Sequence, residues 1–108
     1  MHIALMTEVT EEVEQAFERL IPQLTQHNPP PTREMLVRMV DSDGVFVFLA
    51  REGDERGRIL GAATLGTFLT PTGVHGWIED VVVDREARRR GIGRALTEAC
   101  LEKARGMG

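Results

Sequence analysis

The stretch Arg88-Arg89-Arg90-Gly91-Ile92-Gly93-Arg94-Ala95-Leu96 follows an apolar segment, Val81-Val82-Val83, and opens a segment with helical periodicity. A helix N-terminus leaves its first backbone N–H groups without intrahelical partners, and the helix dipole adds partial positive charge there. Glycine lets the backbone approach an anion without a Cβ in the way. This stretch therefore predicts a binding site for a phosphate or pyrophosphate at the start of a helix.

Charge is distributed unevenly along the 108 residues. The chain has 13 Lys and Arg against 17 Asp and Glu, a net charge of −4. Residues 84–94 carry five arginines against Asp84 and Glu86, a net +3, so the other residues carry −7. A basic island on an acidic body predicts a local anion site rather than a general nucleic-acid surface. Binding of nucleic acid or polyphosphate through the arginines is the least favoured function.

Cysteine and histidine usage argues against disulfide and metal chemistry. The one cysteine, Cys100, allows no intrachain disulfide, and we expect a buried residue rather than a nucleophile. The three histidines lack metal-ligand spacing, so we expect no metal site. No apolar stretch approaches about 20 residues and the N-terminus does not resemble a signal peptide, so we expect no membrane span and a cytoplasmic location.

Periodicity and turn residues predict one domain in which a strand and two helices precede three strands and a last helix. Thr10 and Thr32 are expected to be the N-caps of the first two helices. Short turns join the last three strands, which should therefore be antiparallel. Gly61 and Gly66 are candidate bulges or bends. The predicted strands cover 2–6, 45–50, 59–69 and 74–83, and the helical segments cover 7–26, 33–40 and 93–105.

Arg88-x-x-Gly91-x-Gly93, preceded by Ile78-Glu79-Asp80-Val81-Val82-Val83-Asp84, resembles the acetyl-CoA signature of the GNAT superfamily of N-acetyltransferases. The order of predicted elements is similar to the first two-thirds of a GNAT domain. The resemblance implies a single α+β domain over residues 1–108, with a mixed, mostly antiparallel sheet flanked by helices.

The same resemblance implies a reaction and a cosubstrate site. The reaction is transfer of an acetyl group from acetyl-CoA to a primary amine of a small molecule or protein by direct attack. The valine strand would pair with the pantetheine arm, and the loop after it would hold the diphosphate of CoA. The implied cofactor-binding residues are Val81, Val82, Val83, Arg88, Arg89, Arg90, Gly91, Ile92, Gly93 and Arg94.

Two adjacent carboxylates, Glu79 and Asp80, interrupt the apolar strand and should point to opposite faces. An acceptor amine with a pKa of about 10 must lose a proton before it attacks, and a carboxylate in a cleft can serve as the general base. The resemblance implies that acidic residues at this place act as the general base or bind the amine. Because Glu79 should share a face with Val81 and Val83, it is the preferred base, and Asp80 is the second candidate. The alternative for both is a solvent-exposed strand end.

Two features distinguish the chain from a full GNAT domain. It has no tyrosine, whereas the family often uses one to protonate the leaving thiolate, and the C-terminal strands of the family have no counterpart. We therefore expect an apolar strand edge over 77–83. The remainder of a longer chain should complete the sheet, with a second copy in a homodimer as the other option. The missing tyrosine and strands favour the alternative function, a module that binds CoA without catalysis.

Two further residues, Trp77 and Phe68, are aromatic and lie on the predicted strands. We expect them to pack in the core or at its rim, and the alternative is that they line an acceptor pocket.

Overall fold

The structure is a computed structural model that describes residues 1–108. It contains a four-stranded sheet and three α-helices, together with one turn of 3-10 helix over Arg85–Ala87. In chain order the elements are β1 (His2–Leu5), α1 (Glu11–Leu24), α2 (Arg33–Asp41), β2 (Val45–Arg51), β3 (Ile59–Thr70), β4 (Gly73–Val83) and α3 (Ile92–Gly106).

The first two helices begin at the threonines that the sequence indicates. Thr10 Oγ1 accepts a hydrogen bond from the Val13 N–H at 3.2 Å, and Thr32 Oγ1 accepts one from the Met35 N–H at 3.2 Å. Each such cap satisfies a backbone donor that the helix cannot satisfy itself, and stabilises the helix by about 1 kcal/mol. Both N-cap predictions are confirmed.

The four strands are ordered β1-β2-β3-β4, and all three pairings are antiparallel. The expected antiparallel core of the sheet is therefore confirmed, and no parallel pair occurs among these strands. Because β4 is the last strand in this order, one of its backbone edges has no strand partner, as the sequence predicts.

Helices cover both faces of the sheet because its central strands are apolar on both faces. Along β2, Leu49 packs with Leu20 and Leu36 in a core under α1 and α2. The preceding residue, Phe48, points to the other face and packs with Leu96 in a core under α3. Alternation along one strand thus supplies two hydrophobic cores, one for each helical layer.

Of the two glycines expected to bend β3, only Gly61 lies beside an irregularity. The β2–β3 register shifts by one residue between Gly61 and Ile59. A Cβ on Gly61 would lie 2.7 Å from the Val82 carbonyl oxygen and 3.2 Å from Leu96 Cδ1, so this position is confined to glycine by close packing. Gly66 is in regular register with both neighbouring strands, and the prediction of a bulge there is wrong.

Two aromatic side chains expected to pack in the core or at its rim are exposed. Phe68 is 47% exposed and Trp77 63%. The reason for the two aromatic residues is the length of the β3–β4 hairpin. Because β2 begins at Val45, which pairs with Gly66, the hairpin beyond that point has no third strand beside it.

A buried carboxylate, Asp84, joins the end of β4 to α1. Asp84 is 3% exposed, and its Oδ2 lies 3.0 Å from Arg19 Nε and 3.6 Å from Arg58 Nη2. The Glu86 N–H donates to Asp84 Oδ1 at 3.1 Å. Arg19 also donates to the carbonyl oxygen of Ile59 on β3. One ion pair therefore fixes α1 against two strands at the point where the chain leaves the sheet.

Burial by itself would raise the pKa of Asp84. The hydrogen bonds from the Glu86 N–H and the Arg19 side chain, together with the charges of Arg19 and Arg58, outweigh that effect. They hold the pKa of the Asp84 carboxyl below its ordinary value.

The glycine pair on β3 offers a matched test of close packing. We expect Gly61→Ala to lower the free energy of unfolding by about 1–3 kcal/mol, because the added Cβ overpacks β4 and α3. Gly66→Ala should change it by less than about 0.5 kcal/mol, because an added Cβ there meets no atom within 4 Å. Urea unfolding followed by circular dichroism measures both, and equal midpoints for the two variants would contradict the packing argument.

The lowered pKa of Asp84 predicts a pH-dependent contribution to stability. Since the folded-state pKa lies below the unfolded value of about 3.9, the ionised carboxylate stabilises the fold above that pH, and this stabilisation is lost as pH falls through the folded pKa. We expect Asp84→Asn to lower the free energy of unfolding by about 2 kcal/mol at pH 7 and by less below pH 4 or so. Unfolding curves at several pH values measure the difference.

The control for this prediction is Asp43→Asn, which removes the same charge from an exposed turn residue outside any ion pair. Its effect should be small and should not follow the Asp84 profile. A difference between Asp84→Asn and the parent that stayed constant from pH 7 to pH 3 would refute the assigned role of the ion pair.

Candidate functional site

The segment that leads from β4 into α3, residues 88–94, is here termed the glycine loop. Arg89 and Gly91 have left-handed backbone conformations, with φ of 68° and 78°. Gly91 is the N-cap of α3, and because glycine has no side chain, this helix start has no side-chain cap. None of the backbone N–H groups of residues 89–94 donates a hydrogen bond within the chain. These donors can therefore bind an anion, which the helix dipole also favours at this place.

The arginines of the glycine loop are not equivalent. Three of them have acceptors within the chain: Arg88 at the Val83 carbonyl oxygen (3.3 Å), Arg90 at both carboxylate oxygens of Glu52 (3.0 and 2.9 Å) and Arg94 at Glu98 (3.3 Å). Arg89 is exposed and has no such partner. The net positive charge that the sequence assigns to this loop is thus reduced by Glu52, which follows β2 and pairs with Arg90. Arg89 is the arginine that remains free to contact a ligand.

Ile92 belongs to the glycine loop but faces the core. Its side chain is 3% exposed and packs in the hydrophobic cluster under α3. Of the residues that the sequence predicts to bind the cosubstrate, Ile92 can therefore offer only its backbone.

The valines of β4 alternate between the two cores. Val82 is buried under α1 and α2, whereas Val81 and Val83 are half-buried against the cluster under α3. Their backbone edge on the side away from β3 has no strand partner. An unpaired edge of this kind presents N–H and C=O groups to any extended partner.

A bulge in β4 changes which way the two carboxylates face. The register with β3 pairs Val82 with Ala62 but Glu79 with Thr64, so β4 contains one extra residue in this interval. Asp80 lies in the bulge with a φ of 52°, in the left-handed region that Asp adopts more readily than most residues.

The bulge overturns the expectation of strict alternation. Ile78 and Val81, three residues apart, both pack against the cluster under α3. The two residues between them, Glu79 and Asp80, therefore belong to the opposite face, beside α1 and α2. The expectations that the carboxylates point to opposite faces and that Glu79 shares a face with Val81 and Val83 are both wrong, because the sequence does not reveal the extra residue.

Asp80 borders a cavity of about 480 Å³ between the bulge, α1, α2 and the connection between the two helices. Its wall has six hydrophobic side chains and three consecutive prolines, Pro29, Pro30 and Pro31. Asp80 is the only charged residue that lines it, and Glu79 does not line it. The volume lies within the range of small-molecule sites, which are mostly apolar with a few polar groups.

Sequence reasoning identifies one side of this site and misses the other. The glycine loop and the carboxylates of β4 are adjacent in sequence and carry recognisable patterns. The helical wall of the cavity includes Phe17, Leu24 and Met35, whose spacing is that of ordinary amphipathic helices. Only the three prolines could have marked a rigid connection there.

Three further observations concern the cysteine, metal-binding groups and membrane-spanning helices. Cys100 is fully buried, as expected, and burial raises the pKa of its thiol. No group of three or more His, Cys, Asp or Glu side chains is arranged to hold a metal ion. None of the helices has both the length and the apolar content that crossing a membrane requires.

Comparison with known proteins identifies the family of the chain. The family model described as the acetyltransferase (GNAT) family matches residues 6–108. Among solved structures, an acetyltransferase from Trypanosoma brucei is 30% identical with a TM-score of 0.74, and the match covers 99% of this chain and 76% of that chain. No curated protein matches the chain.

Two more distant neighbours share the fold. Glucosamine-6-phosphate N-acetyltransferase from Arabidopsis thaliana is 24% identical with a TM-score of 0.74, over 100% of this chain and 78% of that chain. An aminoglycoside acetyltransferase from an uncultured soil metagenomic sample, solved in complex with sisomicin, is 22% identical with a TM-score of 0.73, over 94% of this chain and 67% of that chain.

These matches confirm the α+β architecture that the sequence predicts. The family match covers nearly the whole chain, and the trypanosomal structure reaches 30% identity over almost all of it. The chain belongs to the GNAT family of acetyltransferases.

Proposed function

We propose that this chain transfers an acetyl group from acetyl-CoA to the primary amine of a small molecule or protein. The observation that carries the proposal is the arrangement along β4. The glycine loop follows one end of the strand, and Asp80 borders the apolar cavity three residues before Val83. Three fully extended residues would span about 10 Å, and the bulge at Asp80 makes the separation shorter. An anion-binding loop and a cavity that bears a carboxylate thus lie along one edge strand.

The glycine loop fits the diphosphate of CoA. The free N–H groups of residues 89–94 and the unpaired guanidinium of Arg89 bind the phosphate oxygens, with the other loop residues as support. The unpaired edge of β4 binds the amide groups of the pantetheine arm as an added strand would. The proposed contacts are made by Val81, Val82, Val83, Arg88, Arg89, Arg90, Gly91, Ile92, Gly93 and Arg94.

We assign different roles toward the amine to the two carboxylates, Glu79 and Asp80. An amine with a pKa of about 10 is protonated at neutral pH and must lose a proton before its nitrogen can attack the thioester. In the proposed mechanism Asp80 holds the ammonium group at the cavity. Glu79, exposed and next in sequence, accepts the proton directly or through water and passes it to solvent.

Attack of the nitrogen forms the C–N bond of the amide and breaks the C–S bond of the thioester. A backbone N–H of β4 donates to the carbonyl oxygen as negative charge develops on it. The sulfur leaves as a thiolate. The second proton of the attacking nitrogen passes through water to this thiolate, so the products are the amide and the CoA thiol. The glycine loop contributes orientation rather than chemistry, because it holds the end of the cosubstrate remote from the thioester.

The cosubstrate site is tested by calorimetric titration with acetyl-CoA. We expect Arg89→Glu to weaken binding by about 10- to 100-fold, because it replaces a charge-assisted hydrogen bond with repulsion. Arg56→Glu makes the same change of charge in the exposed turn between β2 and β3 and should leave the affinity near that of the parent. Equal weakening in both variants would indicate a general charge effect and would contradict a site in the glycine loop.

The roles of the carboxylates are separated by steady-state kinetics of CoA thiol release. Glu79→Gln should lower kcat by about 100-fold or more, with little change in the KM for the amine. Asp80→Asn should mainly raise that KM. Glu55→Gln, in the β2–β3 turn, is the control and should change neither constant. The reverse pattern would exchange the two roles, and a chain that binds acetyl-CoA but acetylates no amine would favour a CoA-binding module instead.

A further inference from the structure

The lining of the 480 Å³ cavity indicates what kind of amine it accepts. Its fourteen lining residues include six hydrophobic side chains, three prolines, three threonines and Asn28, and the one charge belongs to Asp80. No lysine, arginine or histidine lines it. The cavity is open to solvent on one side, and a ligand bound in it meets a mostly apolar wall and, at one place, the exposed carboxylate of Asp80.

Asp80 is free to receive a cation. Its carboxylate takes part in no hydrogen bond and no ion pair within the chain, unlike Asp84 four residues later. The bulge holds its backbone in a left-handed conformation and turns the residue to the cavity face. An ammonium group placed here gains a charge-assisted hydrogen bond without displacing an internal partner.

The apolar wall is exposed before any ligand binds. Leu24 and Met35 line the cavity and are 37% and 45% exposed, although their helices bury other apolar residues fully. The three prolines, Pro29–Pro31, have no N–H groups to donate, and their fixed φ keeps this part of the wall rigid. An apolar ligand would cover this surface. An anionic group would find no proline N–H there to bind it.

We propose, on the basis of the acetyl-transfer function above, that the acceptor is a monoamine with an uncharged apolar body, whose ammonium group pairs with Asp80. A phosphate or carboxylate on the acceptor would meet no cation and would be repelled by Asp80. A second ammonium group, as in a polyamine, would find no second carboxylate among the residues that line the cavity and would displace apolar contacts there. The proposed acceptor class therefore differs from the acceptor in the name of the Arabidopsis neighbour, which is a phosphorylated amino sugar.

The experiment is a titration of the 108-residue chain with small amines in the absence of acetyl-CoA, followed by NMR chemical shifts. The probes are butylamine, hexylamine, hexanol, spermidine and glucosamine 6-phosphate. We expect hexylamine to bind more tightly than butylamine by about tenfold, as burial of two further methylenes predicts. Hexylamine should also bind more tightly than spermidine and glucosamine 6-phosphate, and should shift resonances of residues around the cavity.

Two variants separate the charge from the apolar wall. Asp80→Asn should weaken hexylamine binding by about tenfold or more and leave hexanol binding unchanged, and it should fold because Asn tolerates the left-handed conformation. Met35→Gln should reduce the ratio of the hexylamine affinity to the butylamine affinity. Leu101→Gln alters an equally exposed residue on α3, outside the cavity, and is the control.

The proposal is overturned if spermidine or glucosamine 6-phosphate binds more tightly than hexylamine, or if Asp80→Asn leaves hexylamine binding unchanged. Acetyl transfer is measured separately, with the same probes. Hexylamine binding at the cavity without acetyl transfer would support the class of ligand inferred for the cavity and refute the proposed function. Acetyl transfer that prefers spermidine or glucosamine 6-phosphate would support the proposed function and refute the inference.

Discussion

The ion pair between the buried carboxylate of Asp84 and the half-buried side chain of Arg19 fixes the junction on which the rest of the site depends. Asp84 is the residue after β4, and its own N–H is held by the Leu60 carbonyl oxygen at 2.7 Å. Its carboxylate holds α1 through Arg19, and Arg19 in turn contacts a carbonyl oxygen of β3. A charge in this position needs a partner, since an uncompensated buried carboxylate is strongly destabilising. The pair therefore holds the end of β4 against α1 and β3, four residues before the glycine loop begins.

The bulge at Asp80 is the second local constraint, and it lies within β4, four residues before Asp84. One extra residue reverses the alternation of side chains between the two cores, so Val81 and Val83 remain against α3 while Glu79 and Asp80 face α1 and α2. A regular strand would have sent one carboxylate toward the core under α3. The bulge thus keeps both negative charges on the face where the cavity opens, at the cost of a left-handed aspartate.

Local features of the fold were predictable because their causes are local. Thr10 and Thr32 begin helices because their hydroxyls satisfy nearby backbone donors, and short turns make β2, β3 and β4 antiparallel. The glycine loop was recognised because its pattern is contiguous. The bulge, the pairing of Glu52 with Arg90 and the exposure of Trp77 were not predicted, because each depends on a partner distant in sequence.

The sequence by itself determined the order of elements, the family resemblance and the identity of the residues that can carry charge near β4. It did so because hydrophobic periodicity, capping and glycine placement act within a few residues along the chain. Only the tertiary structure decided which face Glu79 and Asp80 occupy and what lies opposite them. The apolar wall of the cavity comes from two helices and a proline segment about 50 residues away, and only packing against the sheet brings these residues to Asp80.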